Sequence, residues 1–264
     1  MMCNLAVTNQ RMQFFVEKKS IVRKIWGKSD TILFIFAGAA AEFALNKAVD
    51  WLYFTGKLPA DPLARLFSTV RYARRIVFSP MEEANQAIDT IKQIHTAVEA
   101  NRAATIPDRA YRDVLFMLIH YSIASYELLE KRLTDEEKED VYNVFYRLGA
   151  RMGLKALPLT YTAWLPVRDE HLTNNLQKSA YTADLFRQYK KHLGAMRFKV
   201  LTEGQKLVVP NRVKELLQFS DFSLLAPVVP VYKVSRLMKM DWLLKNILLP
   251  SDYKDEINEL DVKE

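Results

Sequence analysis

The sequence predicts an all-α fold, arranged as a single multi-helix domain. Only 7 of the 264 residues are glycine, and most segments repeat apolar residues at the three- and four-residue spacing of a helix instead of alternating them as strands do. Hydrophobic residues make up 50% of the chain, enough for one large domain or at most two small ones. Since no repeat or linker marks a boundary, we expect a disordered lead-in over residues 1–17, one helical domain over 18–250 and a charged tail over 251–264.

The N-terminal part of this domain predicts two helices. One covers Glu17–Trp26, and the next covers Ser29–Phe54, with Gly56 as the glycine that follows its C-terminus. The second helix contains the apolar run Thr31–Ala41, which is too short for a membrane span, because a span takes about 20 apolar residues. Its small residues would let another backbone or a flat ligand approach closely. An apolar signal-peptide core is also lacking, so we expect a soluble protein.

Two proline-initiated helices follow and carry the residues of greatest chemical interest. Asp61-Pro62 and Ser79-Pro80 are both helix starts, because a capping side chain precedes a residue whose φ is already helical. In the first helix, Arg65 and Thr69 are four residues apart and share a face. In the second, His95 lies within the apolar stripe and not opposite it. That position of a histidine asks for an explanation.

The remaining segments predict further helices, of which the first should be the most buried. It runs from Asp108 to about Leu133 and is apolar on every side around His120. The next begins at the capping box Thr134–Glu137 and ends at Gly153. We also expect helices over Val167–Gln177, Thr182–Leu193, Val213–Phe219 and Val231–Leu249, a loop between Pro158 and Pro166, and either a helix or a short hairpin over Phe198–Pro210.

The net charge limits the kinds of partner that the protein could bind, and the cysteine count indicates its cellular compartment. The formal net charge is +7 and the pI about 9.3, yet the basic residues are dense only near the N-terminus. That segment could contact anionic lipid, or it could be an ordinary solvated face. No nucleic-acid-binding motif is present, so no nucleic-acid partner is expected. The one cysteine, Cys3, has no partner for an internal disulfide, which favours a reducing, cytoplasmic location.

The sequence lacks most motifs of enzymes, which leaves the histidines. It has no phosphate-binding glycine loop, no nucleophile elbow, no His-Glu-x-x-His and no Cys-x-x-Cys-His for covalent haem. His95 and His120 lie at helix-core positions, where a neutral imidazole could be the axial ligand of a non-covalent haem. Arg65 could pair with a propionate and Thr69 could donate to a bound diatomic molecule. Taken alone, a histidine in a helix core is more often a structural residue, and an arginine and a threonine four residues apart are usually on the surface.

Several motifs together resemble those of one oxygenase family. They are Asp61–Thr69, Val77-Phe-Ser, Glu83-Ala84 and Ile94–Val98. The family includes the bacterial latex-clearing protein (rubber oxygenase) and the fungal mycophenolic-acid-pathway oxygenase. The resemblance covers roughly residues 26–176 and implies an expanded globin-like helical bundle around a buried pocket for haem b.

The resemblance also implies roles for individual residues. His95 would be the axial iron ligand, and Arg65 and Thr69 the catalytic pair beside the haem. The position of His120 in a helix core, and not the resemblance, makes it a further candidate for binding the cofactor. The substrates would be dioxygen and an apolar, unsaturated molecule of isoprenoid or lipid type. The rubber-cleaving member has an iron-capping lysine where this chain has Ser68. Its acidic base aligns with no single residue here, so Glu42 and Asp50 are both candidates.

Two other functions fit the same sequence. The first is a non-catalytic helical protein that binds haem or another apolar ligand for transport or sensing. The second is a peripheral membrane or scaffold protein that uses the basic N-terminal segment, with Lys18, Lys19, Arg23, Lys24 and Lys28. The sequence predicts no oligomeric state.

Overall fold

The computed structural model describes residues 13–54 and 61–237, without the side chains at positions 52, 62–66, 236 and 237. These residues are mostly helical, and their only β pairings are two isolated bridges. The predicted all-α class is confirmed, whereas the likeness to a globin stays a prediction. The helices are α1 Ile21–Trp26, α2 Ser29–Phe43, α3 Asp50–Phe54, α4 Pro62–Phe78, α5 Met81–Arg102, α6 Asp108–Leu129, α7 Asp135–Met152, α8 Tyr161–Asn174, α9 Ala180–Val208, α10 Asn211–Leu217 and α11 Val228–Leu237.

Helices α2 and α6 pack against each other at the centre of the fold. Their approach is so close that a Cβ atom at Gly38 would lie 2.3 Å from ring atoms of Tyr121. Only glycine fits there without a shift of the ring. Helix α1 covers one end of this pair, where the buried Trp26 donates from its indole nitrogen to the Ser122 hydroxyl at 3.2 Å. Helices α7 and α9 pack against this pair, while α4 packs against α1, α5 and α9, and α5 packs against α4 and α7.

Several local start and stop signals are confirmed, whereas the second proline-initiated helix begins at Met81, after Pro80, without a capping side chain. Helix α4 begins at Pro62, as predicted. Before α7, the Thr134 hydroxyl accepts from the Glu137 backbone, and the Glu137 carboxylate accepts from the Thr134 backbone. The same helix ends at Gly153, whose φ of 89° is the left-handed conformation that favours glycine.

The single helix predicted over Ser29–Phe54 is wrong, because the chain breaks between α2 and α3. The Asn46 side chain accepts a hydrogen bond from the Ala48 backbone at 2.8 Å, which bends the chain locally. Asn46 also forms an isolated bridge with Leu176, a tertiary pairing that no local pattern predicts. Gly56, the expected end of the helix, lies outside the described residues.

Two further predictions differ from the structure around prolines and glycines. The loop expected between Pro158 and Pro166 is already helix α8 from Tyr161 onward, because Thr160 caps it and Pro166 is accommodated inside it. The segment that was ambiguous between helix and hairpin is helical. It belongs to α9, which bends at Gly194, where φ is 74°.

The lead-in is folded closer to the N-terminus than expected. Phe15 and Val16 are buried, the Phe15 carbonyl accepts from Arg147 at 2.8 Å, and the Gln13 carbonyl accepts from the Met81 backbone at 2.8 Å. Apolar burial therefore orders residues 13–17, which we expected to be disordered. Residues 1–12 and the predicted tail at 251–264 lie outside the described residues, and the outer bounds of the domain stay predictions.

Candidate functional site

A cavity of about 920 Å³ lies between the helices on one side of α6. Its size is near the upper end of the range of about 300–1,000 Å³ that is usual for small-molecule sites. The wall is mostly apolar, which suits an apolar ligand or a flat cofactor. Helices α2, α4, α5, α6 and α9 contribute to it, among others through Phe36, Ala39, Phe67, Thr69, Ile91, His95, Tyr111, Leu118, Arg197 and Leu201.

His95 lies in the wall of this cavity. Ile91 and Val98, about one turn before and after it on α5, line the cavity too, so the imidazole is on the cavity side of its helix. Its ring packs against the Tyr111 ring at a centroid distance of 5.1 Å. The half-buried imidazole is therefore within reach of a bound ligand.

Helix α4 brings Thr69 to the same cavity. Thr69 and its neighbour Ser68 both line the wall, while Phe67 fills the core beside them. Arg65 lies one turn earlier on α4, but its side chain is outside the described residues. Of the predicted site, the structure thus unites Thr69 and His95, and it leaves the role of Arg65 a prediction.

His120 is not among the described residues that line the cavity, so the structure separates it from His95 and Thr69. Its ring meets Tyr121 edge-on at 4.9 Å, and its Nε2 atom is buried with no hydrogen bond to the described part of the chain. Burial, together with the positive charge of Arg168, lowers the pKa of His120 to about 4. This is a neutral core histidine.

A buried network of charged side chains lies beside the cavity, between α2, α6 and α8. We call the set Glu42, Asp113, Tyr121, Arg168 and His171 the charged network. Arg168 donates to both oxygens of Glu42, at 2.6 and 2.5 Å. The Tyr121 hydroxyl donates to Glu42 at 2.8 Å. His171 bridges the two carboxylates, with Nε2 at 3.1 Å from Glu42 and Nδ1 at 2.5 Å from Asp113.

The charges of this network balance. Burial alone would raise the pKa of Glu42, but the charge of Arg168 and the hydrogen bonds from His171 and Arg168 hold it well below its usual value. Burial alone would lower the pKa of His171, but its hydrogen bonds to Asp113 and Glu42 raise it. The two carboxylates therefore face Arg168 and a histidine whose pKa is raised, which is how a dry interior accommodates buried negative charge.

The two acidic candidates for a catalytic base have other partners. Glu42 is fully buried within the charged network and does not line the cavity among the described residues. Asp50 forms an ion pair with Arg102 at 2.8 Å. Neither carboxylate is among the described residues that line the cavity, so neither position is suited to that role.

Asn46 connects the charged network to the cavity. It lines the cavity wall, and its side-chain nitrogen donates to Asp113 at 2.8 Å. Asn175 donates to the other oxygen of Asp113 at 2.9 Å. The network therefore fixes the break between α2 and α3 and, with it, one part of the wall.

The sequence contains a pattern that indicates this network, although the predictions above did not include it. Glu42 is the only charged residue in the run from Thr31 to Asn46, and Arg168 and His171 are three apart on one helix. An isolated carboxylate in an apolar helix usually has a buried partner of opposite charge. Such a partner could have been sought among the basic residues of the later helices.

The donors around the cavity suit haem better than a bare metal ion. No group of three or more His, Cys, Asp or Glu side chains in the described part of the chain could hold a metal. Haem needs only one or two axial side chains, because the porphyrin supplies the other four iron ligands. One imidazole in the wall of a large apolar cavity meets that need. Within the same residues, no helix is both long and apolar enough to cross a bilayer.

Comparison with known proteins identifies one family. Residues 24–244 match the family model described as "ER-bound oxygenase mpaB/B'/Rubber oxygenase, catalytic domain". The match covers α2 to α11 and therefore both the cavity and the charged network. No curated protein and no solved structure matches the chain.

Proposed function

The chain belongs to this family of oxygenase catalytic domains, and on that premise we propose that it is a haem b-dependent oxygenase. Its substrates would be dioxygen and an apolar, unsaturated molecule of isoprenoid or lipid type. The observation that carries the proposal is the position of His95, whose imidazole lies in the wall of a mostly apolar cavity of about 920 Å³.

The chain offers suitable groups for each part of the cofactor. His95 would supply the axial nitrogen, and the apolar side chains around it would cover the porphyrin faces. The wall contains one arginine with a described side chain, Arg197, which could pair with a propionate. Arg65 is the second candidate for that role. Bound there, haem would supply the activation of dioxygen, which the side chains of the wall cannot perform.

The side chains of the cavity would bind and orient the organic substrate. An apolar wall gains free energy from burying a hydrocarbon chain, by about 25 cal/mol for each Å² removed from water. It also excludes water from the reacting double bond. Thr69 brings a hydroxyl group to this wall. Its neighbour is Ser68, so this position has no lysine amine that could bind the iron of a haem. We propose that Thr69 positions the oxygen substrate by a hydrogen bond.

The charged network would support this site without touching the substrate. It joins α2, α6 and α8 through Glu42, Asp113 and Arg168. Its contact to Asn46 then holds one part of the cavity wall. A rigid wall keeps reacting groups aligned, which is a general requirement of catalysis.

Oxygen uptake by the haem-loaded protein tests the function. We expect consumption of dioxygen with a polyunsaturated isoprenoid, and none with its saturated counterpart. His95→Ala should lower the rate at least a hundredfold, while His192→Ala, which alters an exposed histidine, should keep it. A protein that binds haem but consumes no oxygen with isoprenoid or lipid substrates would instead be the non-catalytic binding protein.

A further inference from the structure

An exposed apolar surface borders the cavity, to whose wall both α9 and α11 contribute. Large apolar side chains are normally scattered singly over a protein surface, and a cluster of them marks an interaction site. We call this cluster the rim surface. It consists of Met196, Phe222, Leu224, Val228, Val231 and Val234, whose exposed fractions lie between 40% and 74%.

Hydrogen bonds to Glu203 hold the segment that carries Phe222 and Leu224 against α9. The Glu203 carboxylate accepts from the Leu224 backbone at 2.7 Å, and the Glu203 carbonyl accepts from the Ser223 hydroxyl at 2.8 Å. Met196 precedes Glu203 by seven residues on α9, which is two turns along the same helix face. Val228 is both exposed and part of the cavity wall. The rim surface is therefore continuous with the cavity.

The rim surface is accompanied by positive charge. Helix α9 has no acidic residue from position 185 to position 202. In that stretch Lys190, Lys191 and Lys199 are exposed. Basic side chains next to protruding apolar ones are the pattern of a surface that lies on an anionic bilayer, where the lysines meet headgroups and the apolar groups enter the acyl layer.

We propose that the rim surface docks onto an anionic lipid bilayer, so that the cavity opens toward the acyl chains. A bilayer fits better than a second copy of the chain, because a two-fold dimer through this face would bring the lysines of both copies together. Entry of an apolar substrate from the membrane rests on the proposed function. The docking itself does not, because it needs only the surface.

Co-sedimentation of the full chain with vesicles tests the docking. We expect binding to vesicles of phosphatidylcholine with 30% phosphatidylserine, and at least tenfold weaker binding to phosphatidylcholine alone or in high salt. The double variant Met196→Asp and Val231→Asp should weaken binding at least tenfold. Leu159→Asp is the matched control, because Leu159 is 75% exposed but lies outside the rim surface and the cavity wall.

A charge test separates this surface from the basic N-terminal segment. Lys190→Glu with Lys191→Glu should weaken vesicle binding at least tenfold, while Lys18→Glu with Lys19→Glu should leave it within twofold. The opposite result would overturn the proposal and assign the contact to the N-terminal segment. Concentration-dependent dimerisation that the rim variants abolish, without vesicle binding by the wild type, would overturn it as well. None of these measurements depends on haem, so they stand or fall apart from the oxygenase function.

Discussion

The cavity and the charged network beside it differ in how they use buried space. Tyr111, Leu115 and Leu118 of α6 line the cavity, which is large and mostly apolar. Asp113 and Tyr121 of the same helix take part in the charged network, in which every carboxylate has a partner. The network region is filled and the cavity is open.

This difference separates stability from binding. A buried network of paired charges tolerates no removal of a member, because the remaining charges lose their partner. An apolar cavity contributes little to stability, and changes to its wall should alter binding first. Separate substitutions can therefore disrupt the charged network and the cavity independently.

The largest effect on stability is expected from Glu42→Ala. Removal of this carboxylate leaves Arg168 and His171 buried without their shared partner, which should cost about 3–5 kcal/mol of unfolding free energy. Chemical denaturation measures the loss. Asp89→Ala is the control, because it removes the partner of Arg151 from an exposed ion pair and should cost less than about 1 kcal/mol. Equal losses of unfolding free energy in the two variants would show that water reaches the charged network.

The next effect concerns acid stability and His120. The pKa of His120 is about 4 in the folded protein, whereas an imidazole exposed to water has a pKa of 6.5. The unfolded chain then binds the proton more tightly, so the stability due to neutral His120 is lost as the pH falls from about 6.5 to about 4, by roughly 3 kcal/mol at most. His171 has the opposite sign, since its raised pKa gives stability that is lost as the pH rises through the folded pKa.

Denaturation at pH 7 and pH 4.5 measures this difference. His120→Gln should lose less stability between the two pH values than the wild type does, and the exposed His192→Gln serves as the control. The same loss in His120→Gln as in the wild type would contradict the neutral state of His120.

Substitutions at two neighbouring residues of α2, Gly38 and Ala39, should have smaller effects and compare the packed interior with the cavity directly. Gly38→Ala places a methyl group against the Tyr121 ring, which should cost about 1–3 kcal/mol. Ala39→Leu extends a side chain into the cavity and should change stability by less than about 1 kcal/mol, while it weakens the binding of an apolar ligand at least tenfold. Thermal unfolding and titration with a fluorescent fatty acid measure the two quantities. Comparable stability losses would indicate that the cavity is packed, not open.

The sequence predicted those features that depend on neighbours along the chain. The capping box at Thr134 and the helix end at Gly153 are local hydrogen-bond patterns, and both are present. Thr69 and His95 both line the cavity, and their roles at a haem stay predictions that come from the family motifs.

What the sequence did not predict depends on residues that are distant along the chain. The break after α2 follows from the pairing of Asn46 with Leu176. The charged network joins Glu42 to Arg168, 126 positions away. His120 was assigned to the cofactor because its helix is apolar all round, and such a pattern does not tell which side faces the cavity.

The central claim is that His95 is the axial ligand of a haem bound in the cavity. The most direct test is an absorption spectrum of His95→Gly after haem loading, recorded with and without free imidazole. We expect the wild type to bind one haem per chain with a histidine-ligated spectrum, His95→Gly to lose that spectrum, and imidazole to restore it. A wild type that takes up no haem, or a His95→Gly variant with an unchanged spectrum, would contradict the account.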